Sequence, residues 1–138
     1  MLSRTQIVRR LFHKDKWKRL VVSPPLKPNQ IGDTSIDLRL GTKFIVMKTT
    51  SYPSYDPFPK ESPEGRRIER YQEKVTVKYK ERIYLHPGQF ILGGTLEYLR
   101  LPYDLAATVT GRSSWGRLGI TVATATAVSP RYTGILTL

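Results

Sequence analysis

Proline and glycine recur along this 138-residue chain at intervals too short for long helices. Each proline removes a backbone donor and fixes its own φ, and glycine clusters mark turns, so ten of each divide the chain into brief segments. Between them the apolar residues alternate or run for three to five positions, the pattern of short strands. Leu20-Val21-Val22 reads as a strand stopped by Ser23-Pro24-Pro25, with Pro28 extending the connector. Ser35 to Gly41 alternates polar and apolar, predicting a half-buried strand that ends in a glycine turn, and Lys43 to Met47 is the next strand. Glu73 to Tyr79 places Val75, Val77 and Tyr79 on one face. Ile83-Tyr84-Leu85 leads into a turn at His86-Pro87-Gly88. Phe90-Ile91-Leu92 then reads as a buried strand before Gly93-Gly94. Leu96, Tyr98, Leu99 and Leu101 precede a turn at Pro102-Tyr103-Asp104. Ala106 to Thr110 reads as a strand, and Ile120 to Val122 and Gly134 to Leu138 are strand-like. Many short strands at even spacing predict a mostly β barrel or double-sheet roll.

A helix is expected at the N-terminus. Ser3 followed by Gln6 forms a capping box, with Leu2 placed to staple onto Ile7. Ile7, Val8, Leu11 and Phe12 make one apolar stripe, and Arg9, Arg10, His13 and Lys14 sit where positive charge suits the C-terminal end of the helix dipole. These bases read first as a solvated face and second as a phosphate contact. Trp115 to Leu118 has room for one helical turn. Residues from about 48 to 72, with Pro53, Pro57 and Pro59 followed by a charged stretch, form a long irregular excursion between strands.

The length fits a single domain, spanning 1–138, with a modest core, and an apolar fraction of 39% points to surface covered by partner subunits. A net charge of +12 attracts polyanions, although a heavily charged, thermophile-like surface explains it equally well. Without cysteine there is neither a disulfide nor a thiolate metal site. His13 and His86 lie far apart, which leaves no ligand set for the metal-bound water of zinc-dependent deamination. No apolar run is long enough to span a membrane and no signal core is evident, so the cytoplasm is the expected location.

Gly111-Arg112-Ser113-Ser114-Trp115-Gly116-Arg117-Leu118-Gly119 carries the most chemistry. Two hydroxyls at a helix start, with free backbone N–H groups, can cradle an anion; Arg112 can fork onto phosphate oxygens, and Arg117 follows one turn later. An ordinary serine-capped turn is the equal alternative on the local pattern alone.

This segment resembles the G-R-S-S-x-x-R-L-G signature of dCTP deaminases and is related to the P-R-S-G motif of dUTPases. Further blocks match the deaminase pattern in order: Met1-Leu2-Ser3 opening a helix, Ser35 to Gly41, Leu85-His86-Pro87-Gly88-Gln89-Phe90, Thr95-Leu96-Glu97 and Leu101-Pro102. The resemblance covers nearly the whole chain outside the excursion. It implies a distorted β-barrel or jelly-roll-like fold of the dUTPase type, a homotrimer with sites between subunits, and hydrolysis of dCTP to dUTP and ammonia. It also implies that Arg112 and Ser114 hold the triphosphate, Ser113 positions the attacking water, and Arg117 shapes the catalytic pocket across a subunit boundary. By the same resemblance the backbone of Thr124-Ala125 binds the base and the water, and Tyr132 lies where a 2′-hydroxyl would clash. The resemblance further implies that magnesium accompanies the triphosphate and that no zinc is used. Asp37 and Glu97 match family positions, with local hydrogen bonding as their favoured role.

Deamination needs a base for the water, and the resemblance places that glutamate one position past Leu138, with further strands and a closing tail after it. The 138 residues alone are therefore expected not to deaminate dCTP at an enzyme-like rate. Departures from the pattern bear on activity more than on fold. Thr126 and Ala127 follow Thr124-Ala125, Ser129 stands where dUTPases carry an aspartate, and the stretch from Gly119 to Thr124 is one residue short. The alternatives are a non-catalytic or regulatory deoxynucleoside triphosphate-binding protein and a dUTP diphosphatase. A nucleic-acid-binding module rests on net charge alone, with the aromatics expected in strands, and is the weakest reading.

Overall fold

The computed structural model describes residues 1–48, 71–122 and 126–138. Most of the expected excursion at 48–72 therefore lies outside the described residues, as do Thr124 and Ala125. In chain order the main elements are α1 (Arg4–Leu11), β1 (Val21–Ser23), a 3-10 turn (Pro28–Gln30), β2 (Leu40–Met47), β3 (Gln72–Thr76) and β4 (Ile91–Arg100). β5 (Ala107–Thr108), α2 (Ser113–Gly116), β6 (Ala127–Val128) and β7 (Thr133–Thr137) follow. The chain is mostly β with a short N-terminal helix, as the punctuation of the sequence predicts. Among the described residues no helix is long and apolar enough to cross a membrane.

The chain divides into two compact units. The first comprises Met1–Gly41 with Gly94–Leu138. Its helix begins at the capping box read from the sequence: Gln6 N–H donates to Ser3 Oγ at 3.4 Å, and Ser3 N–H donates to Gln6 Oε1 at 2.8 Å. Ile7 is buried beneath it. β4 is the organising strand, antiparallel to β1 through Val21↔Arg100 and Ser23↔Tyr98, and to β7 through Gly94↔Thr137 and Arg100↔Thr133. Its ladder with β7 shifts register between Gly94 and Tyr98. Thr95, Glu97 and Leu99 are buried in alternation, the period of a strand with one face inward. Leu99 joins Leu20, Leu101, Val128 and Leu136 in the core, with Val22, Ile36 and Tyr132 packed around them. Burying each of these leucines stabilises the fold by about 1.5–3 kcal/mol.

β5 and β6 form a short antiparallel ladder, Ala107↔Val128 and Thr108↔Ala127, prolonged by Val109 N–H donating to the Thr126 carbonyl at 2.7 Å. The chain between these two strands carries α2, and every residue from Gly111 to Val122 is exposed.

The second unit, Thr42–Gly93, contains the antiparallel pair β2 and β3, with Lys43 opposite Thr76 and Met47 opposite Gln72. Phe44 is buried on this hairpin. The expected turn at His86-Pro87-Gly88 is present, closed by Gln89 N–H donating to the His86 carbonyl at 3.0 Å.

Several segment expectations are corrected. Ser35 to Gly41 is not a strand ending in a glycine turn; it makes an isolated bridge, Ile31↔Ile36, and Gly41 lies inside β2. A Cβ at position 41 would stand 2.9 Å from the Gly94 carbonyl oxygen, so this glycine permits close backbone approach rather than a turn. Gly93-Gly94 likewise lies within β4, which runs on to Arg100. Ala106 to Thr110 contributes only the two residues of β5, and Ile120 to Val122 is irregular. The aromatics are not confined to strands: Phe12 caps α1, and Trp17 stands exposed in the turn after it.

Candidate functional site

Arg112, Ser113, Ser114 and Arg117 come together on α2. Arg112 is the N-cap in extended conformation, Ser113 and Ser114 form the first turn, and Arg117 is the C-cap. The Arg112 carbonyl accepts from Trp115 N–H at 3.0 Å and from Gly116 N–H at 3.1 Å, while Arg117 N–H donates to the Ser113 carbonyl at 3.0 Å. The N–H groups of Ser113 and Ser114 have no acceptor among the described residues, as the start of a helix requires. All four side chains are exposed.

Asp37 is brought to the same place. Its Oδ2 lies 3.5 Å from Arg112 Nη2, with side-chain exposures of 42% and 70% respectively. An ion pair this solvated contributes at most about 1 kcal/mol, so an incoming phosphate can take the guanidinium from it.

The position of Asp37 is set from below by a buried network. The Glu97 carboxylate, at 0% exposure, accepts from Arg39 Nε at 2.6 Å, from the Arg39 N–H at 2.8 Å and from Gln30 Nε2 at 3.1 Å. Gln30 Nε2 also donates to the Asp37 carbonyl at 2.9 Å, and the Asp37 N–H donates to the Gln30 carbonyl at 2.8 Å. Burial pushes the Glu97 carboxyl up, but Arg39 and Gln30 outweigh it and hold the group below its ordinary 4.5. Local hydrogen bonding is thus the observed role of Glu97, as expected. The fixed approach of Asp37 to Arg112 is what sequence reading missed. A carboxylate inside the otherwise apolar alternation of β4, and Asp37-x-Arg39 in one segment, were the available signals.

Tyr132 does not join α2 through any polar contact. Its ring packs against the core, and its hydroxyl donates to the Ile135 carbonyl at 2.5 Å, at the start of β7. Gly134 takes a φ of +152 there, and a Cβ would lie 3.3 Å from the Tyr132 hydroxyl oxygen. Thr124 and Ala125 are outside the described residues. Among the described residues, no cluster of three or more histidine, aspartate or glutamate side chains could hold a resident metal ion.

The site is thus an exposed, cationic, hydroxyl-rich turn on a mostly β fold, a chemistry suited to anions. Comparison with known proteins makes this specific. The model of the dCTP deaminase-like family matches residues 1–138, and the chain belongs to that family. A Methanosphaera stadtmanae protein named dCTP deaminase, dUMP-forming, is 40% identical over 121 residues, covering 87% of this chain and 59% of that protein. A Halorubrum lacusprofundi protein named dCTP deaminase is 41% identical over 140 residues, covering 100% of this chain and 64% of its own length. The chain therefore spans about 60% of the length of these relatives. The crystal structure of a 2′-deoxycytidine 5′-triphosphate deaminase from Agrobacterium tumefaciens superposes with a TM-score of 0.65 at 27% identity, covering 99% of this chain and 40% of that one. The fold is accordingly of the dUTPase type.

Proposed function

We propose that residues 1–138 form one domain, the deoxynucleoside triphosphate-binding core of a dCTP deaminase. The observation that carries this reading is the exposed Arg112-Ser113-Ser114 turn, with its unpaired N–H groups, in a chain matched over its full length by the family model. Arg112 exchanges Asp37 for a phosphate, and Ser114 with the turn N–H groups takes further oxygens. Ser113 orients the attacking water, and Arg117 shapes the pocket of a neighbouring subunit in a homotrimer. The backbone of Thr124 and Ala125 holds the base. Tyr132, whose hydroxyl is already engaged, acts through ring bulk against a 2′-hydroxyl.

Magnesium fits as a metal carried in by the triphosphate. Such sites need one or two carboxylates plus phosphate oxygens and water, and Asp37 is the carboxylate beside Arg112 that would meet it through water. The metal would neutralise phosphate charge. No zinc is involved, and the protein works in the cytoplasm.

Attack at C4 of cytosine needs a proton acceptor. Ser113 is too weak a base at neutral pH, Glu97 is sealed, and Asp37, displaced from Arg112 by phosphate, stands at the phosphate end of the ligand rather than at the base. Among the described residues no other carboxylate stands beside α2 to take that proton, and a site without a general base runs about 10²–10⁴ slower. Relatives named both dCTP deaminase and dUMP-forming dCTP deaminase favour a second reading, in which the whole protein also removes pyrophosphate.

Titration calorimetry with magnesium and dCTP, dUTP or CTP tests the reading. Deoxynucleotides should bind better than CTP, and Arg112→Ala should weaken binding by about 1.5–3 kcal/mol. Equal affinity in the variant would remove Arg112 from the phosphate site. Ammonia and pyrophosphate assays on the same samples read turnover and product.

A further inference from the structure

Seven of the first twenty residues are lysine or arginine, against one carboxylate, Asp15. The turn that follows α1 is firmly built. Arg19 Nε donates to the His13 carbonyl at 2.7 Å, Arg10 Nη1 to the Lys18 carbonyl at 3.1 Å, and Arg100 Nη2 to the Lys16 carbonyl at 3.2 Å. Asp15 caps the turn by accepting from Trp17 N–H at 2.8 Å. Held this way, the turn displays Phe12 at 80% exposure and Trp17 at 67%. Beside it an open cleft of about 350 Å³ is lined by Arg9, Arg10, His13, Lys18 and Asp104, with Leu2 and Gln6 of the N-terminal turn. Arg10 is committed to Asp104 at 2.6 Å and Lys16 Nζ lies 5.3 Å from the centroid of the Trp17 ring, over one of its faces, whereas Arg9 and Lys14 have no carboxylate partner among the described residues.

Three arginines hold the backbone of the turn beside the two rings, and preorganisation of the backbone lowers the entropy lost on binding. Arg9 and Lys14 make this face select an anionic occupant over another cationic surface. Ile7, on the apolar side of α1, is buried, so a bilayer would find no continuous apolar face here, only Met1 and two separated rings. Isolated rings interleaved with cations suit unpaired bases, which stack on aromatic faces while lysine and arginine follow the phosphates. We propose that Met1–Leu20 is a binding surface for single-stranded nucleic acid, with Phe12 and Trp17 stacking bases and the Arg9–Lys18 cleft seating a backbone phosphate. It is independent of the nucleotide site assigned to α2.

Fluorescence anisotropy of the full chain with a labelled oligothymidylate of about twelve nucleotides tests this. Binding should weaken at least tenfold between about 50 and about 200 mM salt, and excess dCTP should not displace the strand. Phe12→Ala and Trp17→Ala should each weaken binding about tenfold with the salt slope unchanged, and Trp17→Phe should restore most of it. Arg9→Ser with Lys14→Ser should flatten the slope. Arg10 and Arg19 are left intact because they hold the turn, and melting curves check that each variant is folded. The proposal is overturned if the ring variants bind like the parent, if a duplex binds as tightly, or if dCTP displaces the strand. It is equally overturned if anionic phosphatidylserine vesicles, or self-association, require the two rings while the oligonucleotide does not.

Discussion

Glu97 shows how one side chain fixes another that is far away in sequence. It reaches Arg39 across 58 positions and, through Gln30, steadies the backbone that carries Asp37 toward Arg112. Removing the carboxylate takes one acceptor from the Arg39 guanidinium, one from the Arg39 backbone N–H and one from the Gln30 amide, which keeps the Asp37 carbonyl. Glu97→Ala should therefore lower stability by about 3–4 kcal/mol in urea titrations, the lower part of the range for breaking a buried pair because Arg39 keeps some solvent. The pH dependence has a definite sign. Glu97 is held below 4.5 in the folded chain, so the unfolded chain takes up the proton first. The stabilisation is complete above about pH 4.5 and is lost as pH falls through the lower folded value. Asp104 adds to the same trend, its carboxyl held down by the Arg10 hydrogen bond. Glu97→Gln should flatten the acid limb of a stability–pH curve, and an unchanged limb would assign it to Asp104. The identity of Glu97 was legible in Thr95-Leu96-Glu97; its partners were not, because no local pattern connects position 97 with 30 and 39.

Elements were legible where their signals are local. Ser3 and Gln6 announced α1, and both members of the capping box are observed. The glycines of the strands were misread because the sequence gives the same letter to a turn and to a close backbone approach. At Gly41 the neighbour that decides between them, the Gly94 carbonyl, is far along the chain. β4 tests how much of the first unit depends on one strand. Leu99 sits between β1 and β7 and is part of the core cluster. Leu99→Ala should cost about 2–4 kcal/mol, the transfer energy of the lost atoms plus the cavity they leave. The exposed neighbour Tyr98 offers the control: Tyr98→Ala should cost much less in the same denaturation series.

At the scale of the whole molecule, the modest apolar fraction was read as surface awaiting a partner. The exposed stretch after the candidate phosphate turn supports that reading: Trp115, Leu118, Ile120 and Val122 all face solvent within eight residues. Sedimentation velocity over a range of micromolar concentrations should find association, and Leu118→Asp should shift the chain toward monomer. A parent that stays monomeric throughout would leave this strip without a subunit partner. The same stretch has a consequence for handling. Arg112 and Arg117 stand on an exposed segment between the two halves of a short ladder, where trypsin can accommodate the backbone. In the unliganded, dilute chain these two bonds should be cut early, and amide protons from Gly111 to Val122 should exchange within seconds. Protection of either by dCTP, or by raising the protein concentration, would time when this segment becomes ordered and indicate whether ligand or neighbour orders it.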